Sequence, residues 1–292
     1  MKGSQLIETV RGRGFSVIRD FQQPTLSDEE FKRIAALVHE FCGINLTLAR
    51  QKELLKSRLS KRLRALGLRS FEDYLTYVQK DTSYQEFGIM IDVLTTNKTS
   101  FFREPQHFVY LSRHVLPSLW AATHKVRIWS AGCSSGEEPY TLAMAVRETL
   151  PDVDGGDVRI LATDISPTVL EKARAGVYEE SVVESVPSGL LQKYFTVAQP
   201  TRPRALGVND NLRRLIRWAQ LNLMEPWPMQ GPFDVIFCRN VMFYFDQPTR
   251  HGLVQRFWQA LKPGGYFLIG HAESLTGLSH EFRYVQPATY QK

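Results

Sequence analysis

Cysteine is scarce in this 292-residue chain, with Cys42, Cys133 and Cys238 the only three. An odd, scattered set with no C-x-x-C spacing excludes a disulfide framework and a thiolate zinc site, and points to buried, reduced thiols. The seven histidines form no H-x-x-x-H pair, so no metal is expected. No apolar run approaches the roughly 20 residues that a membrane span needs. The opening MKGSQLIETVRGRGF lacks the apolar stretch of a secretory leader. The expectation is therefore a cytoplasmic protein without a transmembrane segment. Internal repeats and low-complexity tracts are also missing. What is present is an apolar fraction of 43% and a charged fraction of 23%, the balance of a globular chain with a full core. The net charge of +6 admits nucleic acid, anionic membrane or an acidic protein as partner, without choosing among them.

The chain divides near residue 105. Residues 1–24 read as a loose N-terminal arm ending at Pro24. LSDEEFKRIAALVHEFCG then reads as a helix. Ser27 and Glu30 make a capping box. Phe31, Ile34, Leu37, Val38 and Phe41 fall on one face, and Gly43 suits a left-handed stop. A second helix is expected over 48–66, ending at Gly67. Its apolar stripe is Leu54, Leu55, Leu59, Leu63 and Leu66. Its other face carries Arg50, Lys52, Lys56, Arg58, Lys61, Arg62 and Arg64 against one acid, Glu53. Ser70 opens a third helix, FEDYLTYVQ, and a fourth over 84–94 completes an all-helical N-terminal domain of 25–93. Residues 94–105 form a linker.

Beyond it, over 106–292, apolar runs alternate with helix-length segments: VRIWSAG, EEPYTLAMAVRETL, VRILATD, SPTVLEKARAG, FDVIFCRN, PTRHGLVQRFWQALKPGG and YFLIGHAE, with Lys262-Pro263-Gly264-Gly265 reading as a turn before the last apolar strand. That rhythm predicts an α/β fold, a parallel sheet with helices on both faces. Residues 177–231 interrupt it with Pro187, Pro200, Pro203 and Gly207. They read as a small inserted subdomain of about 177–220 together with a return strand.

The chemistry-bearing residues fall at strand ends. After the first α/β strand, Gly132 and Gly136 bracket a small-residue turn before a helix. Such a turn lets a ligand approach the backbone at a positive helix end. G-x-G-x-x-G is absent, and an ordinary tight turn explains the segment equally well. Asp164 closes the second strand, where an acid accepts hydrogen bonds from ribose hydroxyls. Capping the next helix is its alternative role, although Ser166 suits that better. Glu137 and Glu138 beside the first turn suit an amino group rather than a pyrophosphate. Together these favour a nucleoside bearing a cationic amine, such as S-adenosylmethionine, over NAD. Arg239 and Asn240 sit at the carboxyl edge of a later strand, the edge where open α/β sheets bind ligands. The polar run Leu94-Thr95-Thr96-Asn97-Lys98-Thr99-Ser100-Phe101-Phe102-Arg103-Glu104 reads, on its own, as an interdomain linker.

Taken in order, T-T-N-x-T-x-F-F-R-E, S-S-G-E-E-P-Y, A-T-D-I-S, F-C-R-N-V-M-F-Y-F and L-K-P-G-G-Y resemble the CheR family of chemotaxis receptor glutamate O-methyltransferases. The resemblance runs from about residue 27 to 290 and includes the basic stretch S-R-L-S-K-R-L-R-A-L-G-L-R-S-F-E-D-Y-L. It implies a Rossmann-like S-adenosylmethionine-dependent methyltransferase domain with a small inserted β-subdomain, preceded by an all-α domain. It also implies cofactor contacts from Asn97, Thr99 and Arg103, from Glu138 and Asp164, and from Asn222, Leu223, Arg239 and Asn240. Gly132-Cys133 departs from the family, whose members often carry other small residues there. The implied product is S-adenosylhomocysteine.

Methyl transfer to a glutamate carboxylate needs alignment and a dry pocket rather than a general base, because the carboxylate is already ionised. Arg103 and Tyr244 are the candidates to hold the reacting groups; Tyr244 reads equally as a core aromatic. The basic helix, Arg50 through Arg64, is the expected docking surface for the receptor's acidic helices. The inserted subdomain is a candidate grip for a receptor's C-terminal tail. A monomer is expected. Two rival readings are a nucleic-acid methyltransferase and an inactive receptor adaptor that only binds S-adenosylmethionine. Against the first, the sequence has neither N-P-P-Y nor D-P-P-Y, and its basic residues are not interleaved with aromatics; nucleic acid is not expected as a partner. Against the second, the pocket residues are all present.

Overall fold

The computed structural model describes residues 24–46, 49–82, 85–95, 98–201, 204–229 and 231–292. The N-terminal arm before Pro24, Leu48, Tyr84 and Asn97 lie outside the described residues.

Four helices come first: α1 (Asp28–Cys42), α2 (Ala49–Leu66), α3 (Phe71–Lys80) and α4 (Gln85–Leu94). Local chemistry sets their ends. Ser27 Oγ accepts the Glu30 N–H at 3.1 Å, and the Ser27 N–H donates to the Glu30 carboxylate at 2.8 Å. This is the capping box read from the sequence. Gly43 closes α1 at φ +73°. Ile34 and Val38 are buried while Phe31, Leu37 and Phe41 pack at the core's edge. On α2, Leu55, Leu59 and Leu63 are fully buried, each contributing about 1.5–3 kcal/mol of burial. Leu54, expected in the same stripe, is 44% exposed, because it lies one position round the helix from the seam.

The chain then forms one helical rod not foreseen from the sequence, α5 (Gln106–Tyr110) and α6 (Leu116–Thr123) joined through a π turn at Leu111–Val115. Seven strands make the main sheet: β1 (Lys125–Ala131), β2 (Asp157–Asp164), β6 (Ile216–Gln220), β7 (Phe233–Cys238), β8 (Leu261–Ile269), β9 (Arg283–Gln286) and β10 (Thr289–Gln291). Their order is β6-β2-β1-β7-β8-β10-β9. The first five run parallel, and β10 pairs antiparallel with both β8 and β9. Helices α7 (Glu137–Thr149) and α8 (Pro167–Ala175) follow β1 and β2.

The insert is a separate antiparallel sheet, β3 (Val177–Glu179), β5 (Ala205–Val208) and β4 (Phe195–Gln199), in that spatial order. The expected return strand is β6, which joins the main sheet beside β2. The inserted sheet therefore ends at Val208, and the span of 177–220 is too long at its C-terminal end. LKPGG also differs from its reading as a turn. β8 starts at Leu261, which pairs with Phe233, and pairing resumes at Tyr266 opposite Val235. Residues 262–265 bulge outward between these pairs, with Gly264 at φ +78°.

Strand alternation sorts the core onto the two faces of the sheet. Trp129, Ile236, Cys238 and Phe267 share one apolar cluster with α1–α4 and with helix Gln247–Ala260. Ile128, Val235 and Phe237 share the other with α7 and the α5–α6 rod. The helical unit is thus seated on one side of the sheet, above its carboxyl edge. The Asn45 N–H donates to the Tyr244 carbonyl at 2.8 Å, and Asn222 Nδ2 donates to the Phe41 carbonyl at 2.6 Å.

Candidate active site

The strand order reverses between β1 and β7, since the chain leaves β1 toward β2 and β6 and then returns to β7 on the other side. A doubly wound sheet opens a crevice at such a point. Here the loops after β1, β2, β6 and β7 converge on one cleft, closed from above by Cys42, Ile44 and the segment 98–103. Thr99, Arg103, Glu138, Asp164, Asn222, Leu223, Arg239, Asn240 and Tyr244 all line it. Of the candidate site residues only Asn97 is not placed, being outside the described residues.

The loop after β1 is shaped by backbone geometry. Gly132, Ser134 and Gly136 all have positive φ, with Gly136 at +99°. A Cβ at Gly136 would also press on Ala173 and Tyr178, so glycine is required there for both reasons. The turn brings the Ser134 N–H to Asp164 Oδ2 at 2.8 Å, while the Ser166 N–H donates to Asp164 Oδ1 at 3.0 Å. Burial raises the Asp164 pKa, and these two N–H groups hold it down in part. Ser166 is the N-cap of α8, its Oγ accepting the Val169 N–H. The carboxylate therefore remains a cleft-lining acceptor.

Of the two glutamates at the start of α7, the structure separates the roles. Glu137 turns to the Ser135 hydroxyl, which donates to it at 2.8 Å, and does not line the cleft. Glu138 lines it, accepting from Ser130 Oγ at 2.7 Å and from Arg239 Nη1 at 2.9 Å. Arg239 is the hub. Its side chain is 2% exposed, and it also donates to Glu104 Oε2 at 3.1 Å and to the Arg103 carbonyl. Burial alone pushes both acids up. For Glu104 the Arg239 charge and the His271 N–H overcome it and lower the pKa. For Glu138 burial wins and the pKa is raised.

The polar segment before α5 is part of the site rather than a plain linker. Phe101 is buried edge-on against Tyr178 and Phe195 of the insert, at 5.1 and 5.6 Å. The Phe102 N–H donates to Thr141 Oγ1 at 3.2 Å. Phe102 and Glu104 both hold positive φ, at 53° and 56°, a left-handed geometry that costs energy for such residues and gathers at functional sites. Arg103 Nη1 donates to the Lys98 carbonyl at 2.9 Å. Among the described residues, neither Arg103 nor Lys98 makes an ion pair, though both line the cleft. Asn222 fixes its own turn, its Oδ1 accepting the Met224 N–H at 3.0 Å. Tyr244 sits on a 3₁₀ turn, Met242–Tyr244, beside Phe243, which is 53% exposed.

Sequence reasoning passed over several residues that organise this geometry. Glu104 stood inside a quoted motif, but its partner Arg239 is 135 positions away. Glu273 accepts the N–H groups of Gly270, Asn240 and Phe243 at 2.7, 2.8 and 3.3 Å, holding Asn240 at φ +60°. Only its place just after the last parallel strand signalled it. His107 is fully buried, with Nδ1 3.6 Å from Glu104. Burial, reinforced by Arg239, pushes its pKa down to about 3. Glu104, His107 and His271 bring donor atoms within 4.8 Å of one another, a grouping that sequence spacing does not reveal. The guanidinium on Glu104 competes with any cation there.

No helix of the described residues is long and apolar enough to cross a membrane. The three cysteines are free and buried.

Residues 97–291 match the family described as CheR methyltransferase, SAM binding domain, and residues 29–95 match its all-alpha domain. A Chemotaxis protein methyltransferase of Borreliella burgdorferi is 40% identical over 91% of this chain and 95% of its own length. A Probable chemotaxis protein methyltransferase of Rhizobium etli is 42% identical over 87% and 96%. The Chemotaxis protein methyltransferase of Escherichia coli is 38% identical over 88% of both. With a cleft at the switch point of its sheet and both domains matched, this chain belongs to the CheR methyltransferase family, and its cofactor is S-adenosylmethionine.

Proposed function

We propose that the chain methylates glutamate side chains of chemotaxis receptors, giving methyl esters and S-adenosylhomocysteine. The observation that carries this reading is the charge pattern of the cleft. Arg239 is neutralised from within by Glu104 and Glu138, whereas Arg103, among the described residues, makes no ion pair. An uncompensated guanidinium at a cleft wall is suited to a carboxylate ligand. The relatives named chemotaxis protein methyltransferases supply the receptor context.

The cleft suits the cofactor's chemistry in parts. Asp164 accepts from the ribose hydroxyls, and Glu138 from the amino group. Ile165, Leu221 and Leu223 offer an apolar surface to the adenine, with Asn222 and Asn240 at its edge. Thr99 and Arg103 hold the methionine end. When bound, S-adenosylmethionine supplies an electrophilic methyl that a carboxylate oxygen displaces from sulfur, the S–C electron pair leaving with the thioether. The chain's own work is positional. A free glutamate side chain is ionised near neutral pH, so no residue is asked to take a proton. Arg103 and the Tyr244 hydroxyl orient the attacking carboxylate. Opposite charges are neutralised in the step, so the apolar walls and the overlying α1 end favour it by excluding water.

Docking is assigned to the basic face of α2, in a narrower form than the sequence suggested. Lys52 pairs with Asp28, Arg62 with Glu86, and Arg58 turns inward to backbone carbonyls. Lys56, Lys61 and Arg64 make no ion pair among the described residues and are the residues proposed to meet the receptor's acids. Strand β4 is an edge of the inserted sheet with exposed side chains from Thr196 to Gln199, an edge suited to a receptor tail by strand addition. The test is transfer of tritiated methyl from S-adenosylmethionine to receptor-containing membranes, followed by mild base. Volatile methanol is the expected product. Label that survives base would refute the ester.

A further inference from the structure

Helix α4 ends at the cofactor cleft. The last four carbonyls of any helix lack intrahelical partners, and the partial negative charge there favours a cation. The last turn of α4 contains no basic residue. The missing cation comes from another helix. Arg58, midway along α2, places Nη1 at 3.0 Å from the Val93 carbonyl, 3.1 Å from that of Leu94 and 3.0 Å from that of Thr95.

One turn further along α2, Arg62 makes a two-point ion pair with Glu86 in the first turn of α4, at 2.9 and 2.5 Å. Glu86 also accepts the Tyr74 hydroxyl at 2.9 Å. The two helices run antiparallel, and two arginines one turn apart grip opposite ends of α4. At its exit α4 passes directly into the cleft wall. Thr95 lines the cleft, and so do Lys98, Thr99 and Arg103 beyond it. Thr95 is tied back as well, its N–H and its hydroxyl both donating to the Ile91 carbonyl. The position of Thr95 is thus set on one side by α4 and on the other by Arg58.

We infer that Arg58 is a positioning residue of the cofactor site: it caps α4 from α2 and fixes where the chain enters the cleft, so that loss of its guanidinium weakens cofactor binding. Its place on the basic face gives it the look of a docking residue. Its three carbonyl contacts give it a different task, one that operates with no receptor present. The inference rests on the cleft being the cofactor site, and the experiment separates the two.

Calorimetric titration of S-adenosylhomocysteine into the full chain, without receptor, is the measurement, for wild type, Arg58→Ala, Arg58→Lys and Lys61→Ala. Wild-type binding tests the cofactor site itself. Arg58→Ala is expected to raise Kd at least about tenfold, the loss of one charge-assisted hydrogen-bonded group. Arg58→Lys, which keeps a cation but not the planar fork, is expected to fall between it and wild type. Lys61→Ala, an exposed neighbour on the same helix, is expected to leave Kd unchanged. Global destabilisation alone would lower Tm without changing the Kd of the folded fraction. If Arg58→Ala does not fold, Arg58→Lys and Arg58→Gln decide. Wild-type Kd in a folded Arg58→Ala, or in both of those variants, overturns the inference.

Discussion

Arg239 offers the sharpest test of how the cleft is held together. Its guanidinium is nearly sealed from solvent and faces two carboxylates, Glu104 at 3.1 Å and Glu138 at 2.9 Å, which are themselves 15% and 12% exposed. Replacing it by Met keeps the bulk and removes the charge. Two buried acids are then left without their counter-ion, and breaking a buried pair in this way costs about 3–5 kcal/mol. The pH dependence makes the test specific. In the native chain Glu104 has a lowered pKa, so its contribution is present above the unfolded-state value and is lost as pH falls through the folded one. In Arg239→Met both acids have folded pKa values above the unfolded ones, because burial then acts unopposed by Arg239. The folded state binds more protons than the unfolded state just above the ordinary glutamate range, so the variant regains stability as pH falls through that window. Urea unfolding of both proteins from pH 7.5 down toward pH 5 is the assay. The gap between them is expected to be largest at the top of the range and to narrow with acid. Adding Glu104→Gln and Glu138→Gln to the variant is expected to recover part of the loss at pH 7. A gap under about 1 kcal/mol, the size of a surface ion pair, or one independent of pH, would refute the idea that Arg239 exists to neutralise these acids.

Asp164→Ala is expected to weaken S-adenosylhomocysteine binding by about 1–3 kcal/mol, as for a lost buried acceptor; unchanged calorimetric affinity would remove Asp164 from the site. Arg103→Ala is expected to lose most methylation with its fold intact, and steady-state kinetics will show the role. A rise only in the KM for S-adenosylmethionine assigns it to the cofactor, whereas a fall in kcat assigns it to the reacting carboxylate; near-normal turnover refutes both. Reversing Lys56, Lys61 and Arg64 to glutamate is expected to reduce receptor methylation without moving cofactor affinity, and to mimic added salt on the wild type. Normal methylation across a salt series would send docking to the inserted sheet. His107 is held neutral with a pKa near 3, so the unfolded chain binds a proton there first and stability falls as pH drops below about 6.5, by up to about 1.4 kcal/mol per unit. His107→Gln is expected to flatten that acid limb in a Tm series, and an unchanged slope would mean that other groups carry it.

What the sequence disclosed and what it hid follow one physical line. Features fixed within a turn of the chain were readable: the Ser27–Glu30 box, the Gly43 stop, the Ser166 cap, and Asp164 at the end of an apolar run. The α5–α6 rod was missed although Phe108, Leu111, Val115 and Trp120 are spaced as a helix face. Pro117 and the π turn at Leu111–Val115 shift the period by a residue, and that masks it. The bulge at 262–265 read as a turn because its closure comes from the far end of the chain. There the Lys292 N–H and the Gly265 carbonyl, and the Gly264 N–H and the Lys292 carbonyl, pair at 2.9 Å. The candidate residues came chiefly from the ordered motif set, and their convergence on one cleft required the fold. The partners of Arg239, the Asn240 amide on Glu273 and the inward turn of Arg58 were invisible for the same reason: each joins positions more than thirty residues apart.

That last class changes how the basic helix should be understood. Seven positive residues against one acid looked like charge in excess of what folding needs. The structure assigns Lys52, Arg58 and Arg62 to contacts within the helical unit, which leaves a smaller set facing outward. Receptor docking is thus proposed for the outward side of this helix and support of the cofactor cleft for its inward side, on adjacent turns. A substitution series that treats all seven as one surface will confound loss of docking with loss of cofactor. Measured without receptor, only substitutions of the inward set should move cofactor affinity. Measured at saturating cofactor, only substitutions of the outward set should retain their salt dependence, because screening by mobile ions acts more on exposed charges than on a half-buried guanidinium bonded to a helix end.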